Sequence, residues 1–144
     1  MYQISEKILL TIWVGGMWAI GYIVAPVLFN MLDKPVAGIV AGQLFTIVSY
    51  VGLFSAVILI VNILMQHGFN FRFWQLWTLI GMLCVIAIGQ FILQPMMVEL
   101  KMIGLIAENK IQFGRLHGMA SVLFLINSLA GLALVIAGLP RNKV

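Results

Sequence analysis

Residues 13–29 read WVGGMWAIGYIVAPVLF, an apolar stretch with two Trp, a Gly-Gly pair, a Tyr and a Pro. No residue from Ile8 to Phe29 is charged. The stretch is therefore long enough to cross the hydrocarbon core of a bilayer as a helix, which takes about 20 apolar residues. Its small residues allow close contact between helices, and Pro26 frees the carbonyl of Tyr22, four residues earlier. The pattern predicts a packed helix of a membrane bundle and not a plain lipid anchor.

The composition of the whole chain indicates an integral membrane protein. Of its 144 residues, 63% are hydrophobic and 8% are charged, whereas soluble domains carry about 25% charged residues. We therefore expect one membrane domain, residues 1–144, whose main partner is the lipid bilayer. The net charge of +4 suits anionic lipid headgroups, and because the chain has no cluster of basic residues we expect no nucleic-acid partner.

Four apolar stretches can be counted, and they predict an all-α four-helix bundle. They cover about residues 8–29, 36–65, 74–98 and 117–139. Four crossings place the N and C termini on the same side of the membrane. The Lys and Arg residues divide equally between the two sides, so the positive-inside rule assigns no orientation. The amphipathic residues 99–116 are expected to prolong the third helix beyond the membrane or to lie on its surface.

The second apolar stretch carries small residues on one helical face. Such a face lets helix backbones approach closely, which stabilises helix association where lipid tails are as apolar as the side chains. The residues of this face are Gly38, Gly42, Ser49, Gly52 and Ala56.

The two histidines are the obvious ligands for haem or a metal, but the predicted topology separates them. His67 follows the second stretch and His117 precedes the fourth, so they lie at opposite membrane faces, about 30 Å apart. No single iron or copper ion can bind both. His117 is the more interesting residue because an ionisable group at the start of a membrane helix is a candidate functional group.

Polar residues of four different helices are predicted to lie at one depth, near the surface opposite the termini. Buried amides and imidazoles in lipid need partners, so these side chains are expected to face each other in a polar cleft that binds a ligand. The alternative is that they only hydrogen-bond between helices. The predicted site consists of Tyr22, Gln43, Gln90, Gln94, His117 and Ser121.

Metal binding and catalysis find less support in the sequence. The nine methionines suggest copper(I), because thioethers are soft ligands, with Met96, Met97 and His117 as its ligands. Met is also common packing material in apolar helices, so the interpretation that no metal is bound stays open. The apolar stretches contain no Asp, Glu, Lys or Arg, which argues against a proton relay or an ion-coupled pump. Nothing in the sequence argues for an enzyme.

The first stretch, together with AG at 37–38, AGQLF at 41–45, FGRLHG at 113–118 and Asn127, resembles a known family. The pattern is similar to the transmembrane protein 205-like family, domain of unknown function 4149. That family is similar in architecture to copper-resistance D proteins and to the four-helix protoporphyrinogen oxidase, which binds haem. The resemblance implies a four-helix membrane fold, usually in the bacterial inner membrane, with no established activity.

The sequence thus predicts a small multi-pass membrane protein that is not an enzyme. We expect it to bind a small ligand or a partner protein in a half-polar cleft, and its helices to allow a homo-oligomer or contact with another membrane protein. The alternative is a protein that handles haem, quinone or copper, related to copper-resistance D proteins.

Overall fold

A computed structural model describes residues 2–68, 72–104 and 106–140. The described chain is helical throughout, apart from short turns. Two of its helical segments have the wider π geometry, with a hydrogen bond from each amide to the carbonyl five residues earlier. In order, the elements are α1 (Tyr2–Trp18), a π segment (Ala19–Val24), α2 (Ala25–Met31), α3 (Lys34–His67), α4 (Trp74–Ile88), a second π segment (Gly89–Leu93), α5 (Gln94–Ile103) and α6 (Ala107–Ala137).

Four helices are long and apolar enough to cross a membrane. Span 1 is Ile4–Met31, span 2 is Lys34–His67, span 3 is Trp74–Ile103 and span 4 is Glu108–Ala137. At 1.5 Å per residue the spans are about 42–51 Å long, which exceeds the roughly 30 Å of hydrocarbon. Their ends therefore reach the headgroup layers. The predicted all-helical fold with four helices long and apolar enough to cross a membrane is confirmed.

The four spans enclose one main apolar core. Span 1 packs against spans 2 and 4, and span 3 packs against the same two, so that spans 1 and 3 lie diagonally in the bundle. Each span contributes a fully buried side chain to this core, namely Trp13, Leu59, Leu79 and Leu134.

Two glycines of span 2 lie against neighbouring spans, and the approach is closest at Gly52. A Cβ atom at Gly52 would lie 2.5 Å from Nε1 of Trp13 and 2.9 Å from Cδ1 of Ile86, too close for any side chain. At Gly42 it would lie 3.6 Å from Nε2 of Gln94. The predicted small-residue face of this helix is thus confirmed where Gly42 and Gly52 contact spans 1 and 3.

Both π segments end two residues before a proline. The amide of Ala25 donates to the carbonyl of Ile20, and Pro26 follows. The amide of Gln94 donates to the carbonyl of Gly89, and Pro95 follows. In an α-helix the proline ring would collide with the carbonyl four residues earlier. The wider turn moves that carbonyl aside, so span 1 accommodates Pro26 by a change of helix type that the sequence did not predict.

The amphipathic residues 99–116 form the ends of two spans and not a separate surface helix. Helix α5 prolongs span 3 to Ile103, which is one of the two predicted alternatives. Gly104, with φ +100°, turns the chain, and α6 begins at Ala107. Leu100 and Leu116 pack together in a small second core between the two helices.

At the opposite end of the bundle, polar side chains join spans 1 and 2. Asn62 Nδ2 donates to Glu6 Oε1 at 2.5 Å, and Gln66 Nε2 donates to the same oxygen at 3.2 Å. Gln66 Nε2 also lies 2.8 Å from Asn62 Oδ1. These hydrogen bonds hold the start of span 1 against the end of span 2.

We expect single cysteines to reveal the topology when Cys84, which is exposed on span 3, is replaced by Ala. In intact vesicles, a membrane-impermeant maleimide should label Lys7→Cys and Lys143→Cys from one side and Lys110→Cys from the other. Labelling of all three positions from the same side would contradict four membrane crossings.

Candidate functional site

A small hydrogen-bonded group connects spans 1 and 4 at the first π segment. Trp18 Nε1 donates to the backbone oxygen of Ser128 at 3.2 Å. The hydroxyls of Tyr22 and Ser128 lie 2.7 Å apart, and Ser128 Oγ donates to the carbonyl of Leu125 at 2.9 Å. Because a serine has only one hydroxyl hydrogen, Tyr22 is the donor in the pair. Ser128 is fully buried, whereas 41% of Tyr22 is exposed.

A row of aromatic rings extends this group across three spans. The ring centroids of Trp18 and Tyr22 are 4.9 Å apart, those of Tyr22 and Phe124 are 5.8 Å apart, and those of Phe124 and Phe45 are 5.3 Å apart. Gly21 makes room for the row, since a Cβ atom there would overlap the Phe124 ring. The rings fix the position of the Tyr22 side chain.

Asn127, the residue before Ser128, lies inside the bundle with an unsatisfied oxygen. Only 4% of the residue is exposed. Its Nδ2 points to the sulfur of Met17 at 3.6 Å, and its Oδ1 is buried without a hydrogen-bond partner. A buried oxygen without a partner is uncommon in folded proteins and needs an explanation.

Directly beside Trp18, an open apolar groove of about 210 Å³ lies between spans 1 and 4. Only apolar atoms line it, and its residues are Thr11, Val14, Gly15, Trp18, Leu132 and Val135. Gly15 leaves its floor open, with no atom within 4 Å of the place a Cβ would take. Trp18 belongs both to this groove and to the hydrogen-bonded group. We call the groove together with Tyr22 and Ser128 the seam.

The structure places the six predicted site residues in different surroundings. Tyr22 lies in the seam. Gln94 lies against Gly42 of span 2, Gln90 is half-buried and Gln43 is exposed. Ser121 Oγ donates to the backbone oxygen of His117 at 2.8 Å. Within the described ranges no hydrogen bond joins two of these six side chains, so a cleft shared by all of them stays a prediction.

His117 belongs to a second group of side chains, at the end of the bundle where α5 and α6 meet. Its exposed ring stacks on Phe113 with 6.0 Å between centroids. The ammonium of Lys101 lies over the same Phe113 ring at 5.3 Å. This arrangement holds the cation by a cation–π contact at the membrane surface.

The residues proposed as metal or haem ligands lie in different packing environments. Among the residues that the structure describes, no three of His, Cys, Asp and Glu lie together. Met96 is 40% exposed, and Met97 packs into the small core of α5 and α6. His67 lies at the end of α3, edge-on to Phe73 with 5.1 Å between centroids. Copper at Met96, Met97 and His117 stays a prediction from the sequence.

Comparison with known proteins gives the family of the chain. A family model described as "Domain of unknown function (DUF4149)" matches residues 8–105. The chain belongs to the DUF4149 family. No curated protein and no solved structure matches it. The DUF4149 match includes Trp18 and Tyr22 and ends before span 4, which carries Ser128, so it covers one wall of the seam.

Replacing Gly21 with Ala is expected to disturb the aromatic row, because the added methyl group meets the Phe124 ring. Overpacking of this kind costs about 1–3 kcal/mol of unfolding free energy. The matched control is Gly15→Ala in the same span, where the methyl group enters open space. Unfolding of both variants in detergent, followed by circular dichroism, compares them. Equal stability of the two variants would show that Phe124 yields to the new methyl group without cost.

Proposed function

We propose that this protein is a non-enzymatic membrane module that binds a small amphiphile dissolved in the bilayer. The ligand has an apolar chain and one polar end, and it enters the seam sideways from the lipid. The observation that carries the proposal is that an apolar groove and the Tyr22–Ser128 hydroxyl pair adjoin at one residue, Trp18. Tyr22 is the partly exposed member of that pair. The seam is therefore half-polar, in keeping with the kind of cleft that the sequence predicts.

Trp18 is suited to join the two halves of such a site. Its ring forms one wall of the groove, and its indole N–H is already bonded to the Ser128 carbonyl. This bond fixes the orientation of the ring, so the groove exists before a ligand arrives. A preformed site is typical of ligand pockets, and it reduces the entropy lost on binding.

The polar half must supply the selectivity of the seam. A hydrocarbon chain that moves from lipid into an apolar groove leaves one apolar environment for another, so hydrophobicity contributes little to its affinity. What distinguishes the seam from the surrounding lipid is the Tyr22–Ser128 pair. We therefore expect simple alkanes to bind weakly and amphiphiles of the same length to bind more tightly.

The alternatives from the sequence enter this proposal in different ways. A quinone is an amphiphile of the proposed kind, so the quinone alternative is one version of it. Haem or copper would need a separate site, because no residue of the seam is a histidine or cysteine. Three further points remain parts of the proposal. The protein is related to transmembrane protein 205-like and copper-resistance D proteins, it lies in the bacterial inner membrane, and its two termini are on the same side.

The proposal is tested with a photoreactive alcohol. A dodecanol with a diazirine on its chain is added to the purified protein in lipid nanodiscs, activated by light and located by mass spectrometry of the labelled peptides. We expect label on the spans 1 and 4 residues of the groove, and we expect an excess of unlabelled 1-dodecanol to displace it. Labelling spread over all lipid-facing residues, without displacement, would contradict the proposal.

A pair of glycine variants makes this test specific. Gly15→Leu fills the groove from its open floor and should remove the displaceable label. Gly81→Leu makes the same change at an exposed glycine of span 3 that also has no atom near its Cβ position, and it should leave the label unchanged. Circular dichroism verifies that both variants keep their helices. Crosslinks between two copies of the chain through this groove, with no label from the probe, would instead make the seam a dimer contact and overturn the proposal.

A further inference from the structure

We infer that the seam selects amphiphiles whose polar end donates a hydrogen bond, such as a hydroxyl or an N–H group. Amphiphiles whose polar end only accepts hydrogen bonds, such as ethers and aldehydes, bind more weakly, and so do quinones, which disfavours the quinone version of the proposed function. The inference rests on the proposed function and adds the chemical class of the ligand. The inference follows from a count of the hydrogen-bond donors and acceptors in the seam that are not already used within the protein.

Every hydrogen-bond donor of the seam's polar half is already used. The indole N–H of Trp18 is bonded to the backbone oxygen of Ser128. The hydroxyl hydrogen of Ser128 is bonded to the carbonyl of Leu125. The hydroxyl hydrogen of Tyr22 is therefore the one that lies between Tyr22 and Ser128. A ligand that needs a donor finds none free among Trp18, Tyr22 and Ser128.

One oxygen of the seam can still accept a hydrogen bond. The phenol oxygen of Tyr22 donates once and still has a lone pair to accept with, on a side chain that is 41% exposed. Tyr22 is thus the acceptor of the seam that a ligand can meet.

An acceptor ligand can bind only if the network rearranges. Tyr22 would have to turn its hydrogen to the ligand, which leaves two hydroxyl oxygens 2.7 Å apart without a hydrogen between them. Ser128 can supply that hydrogen only by leaving the carbonyl of Leu125. The rearrangement therefore costs one hydrogen bond, which corresponds to about a three- to tenfold difference in affinity.

The inference is tested by competition against the photoreactive dodecanol in nanodiscs. The competitors are 1-dodecanol, its methyl ether and dodecanal, compared at equal mole fraction in the membrane so that differences in partitioning do not contribute. For the native protein we expect 1-dodecanol to displace the probe at a concentration about three- to tenfold lower than the other two. In Tyr22→Phe, which lacks the accepting oxygen, the three compounds should displace the probe equally.

A second variant changes the preference in the opposite direction. Ser128→Ala removes the hydroxyl that holds the Tyr22 hydrogen and keeps the backbone oxygen that holds Trp18. Tyr22 can then donate to a ligand, so dodecanal and the methyl ether should gain affinity by several-fold relative to 1-dodecanol. This increase distinguishes the inference from a general loss of structure, which would weaken all three competitors.

The outcomes separate the two proposals. Equal competition by all three compounds in the native protein would overturn the inference and leave the seam a site for amphiphiles of any kind. A preference for the alcohol that survives unchanged in both Tyr22→Phe and Ser128→Ala would also overturn it. Failure of every compound to displace the probe would overturn the proposed function itself.

Discussion

Pro26 has no amide hydrogen, and in the hydrocarbon core no water replaces the hydrogen bond that it cannot make. Span 1 meets this constraint by widening into a π segment over Ala19–Val24, in which the residue before the proline bonds to Ile20 five residues back. Span 3 does the same before Pro95. The extra residue in the turn changes which side chains share a face of the helix. Near Pro26 that change sets where Tyr22 points.

The packing around the π segment follows from this placement. Trp18 and Tyr22 both reach Ser128 of span 4, and Gly21 lets the Phe124 ring pack against span 1. Toward the start of span 1 the contacts with span 4 are apolar, and there Gly15 leaves the open groove. A membrane helix bundle relies on close packing and hydrogen bonds because the hydrophobic effect does not drive its helices together. In this bundle the same features that hold spans 1 and 4 together also form the seam.

Much of the fold could be predicted from the sequence because the bilayer imposes simple rules. The length of the uncharged stretches indicated the four helices. The spacing of Gly42 and Gly52 indicated the face on which span 2 meets its neighbours. The π segments could not be predicted, since Pro26 indicates only that a hydrogen bond is missing and not how the helix replaces it. The amphipathic residues 99–116 left two possibilities, and the positive φ of Gly104 decides between them by closing a helical hairpin.

The candidate site was predicted only in part. Tyr22 stood out because of Pro26, and it is the one predicted residue found in the seam. Phe124 and Ser128 were not predicted as site residues, because the predicted site was chosen by depth in the membrane and not by the face of the helix. They lie one and two turns further into span 4 than Ser121, and their spacing with Gly131 puts all three on one face of a helix. The unpartnered oxygen of Asn127 has no sequence signal, since it depends on the orientation of one amide group.

The most direct test of the role of Pro26 is the coupling energy between Tyr22 and Ser128. It is obtained from the unfolding free energies of Tyr22→Phe, Ser128→Ala and the double variant, once in the native background and once with Pro26→Ala. With Pro26 present we expect about 0.6 kcal/mol, the average for hydrogen bonds between membrane helices. In the Pro26→Ala background the π segment can become ordinary α-helix, because residue 26 again has an amide hydrogen to donate. The turn then no longer contains an extra residue, which rotates Tyr22 by about 100° relative to the start of the span. The coupling should then fall to zero, whereas the same coupling in both backgrounds would show that Pro26 does not set the position of Tyr22.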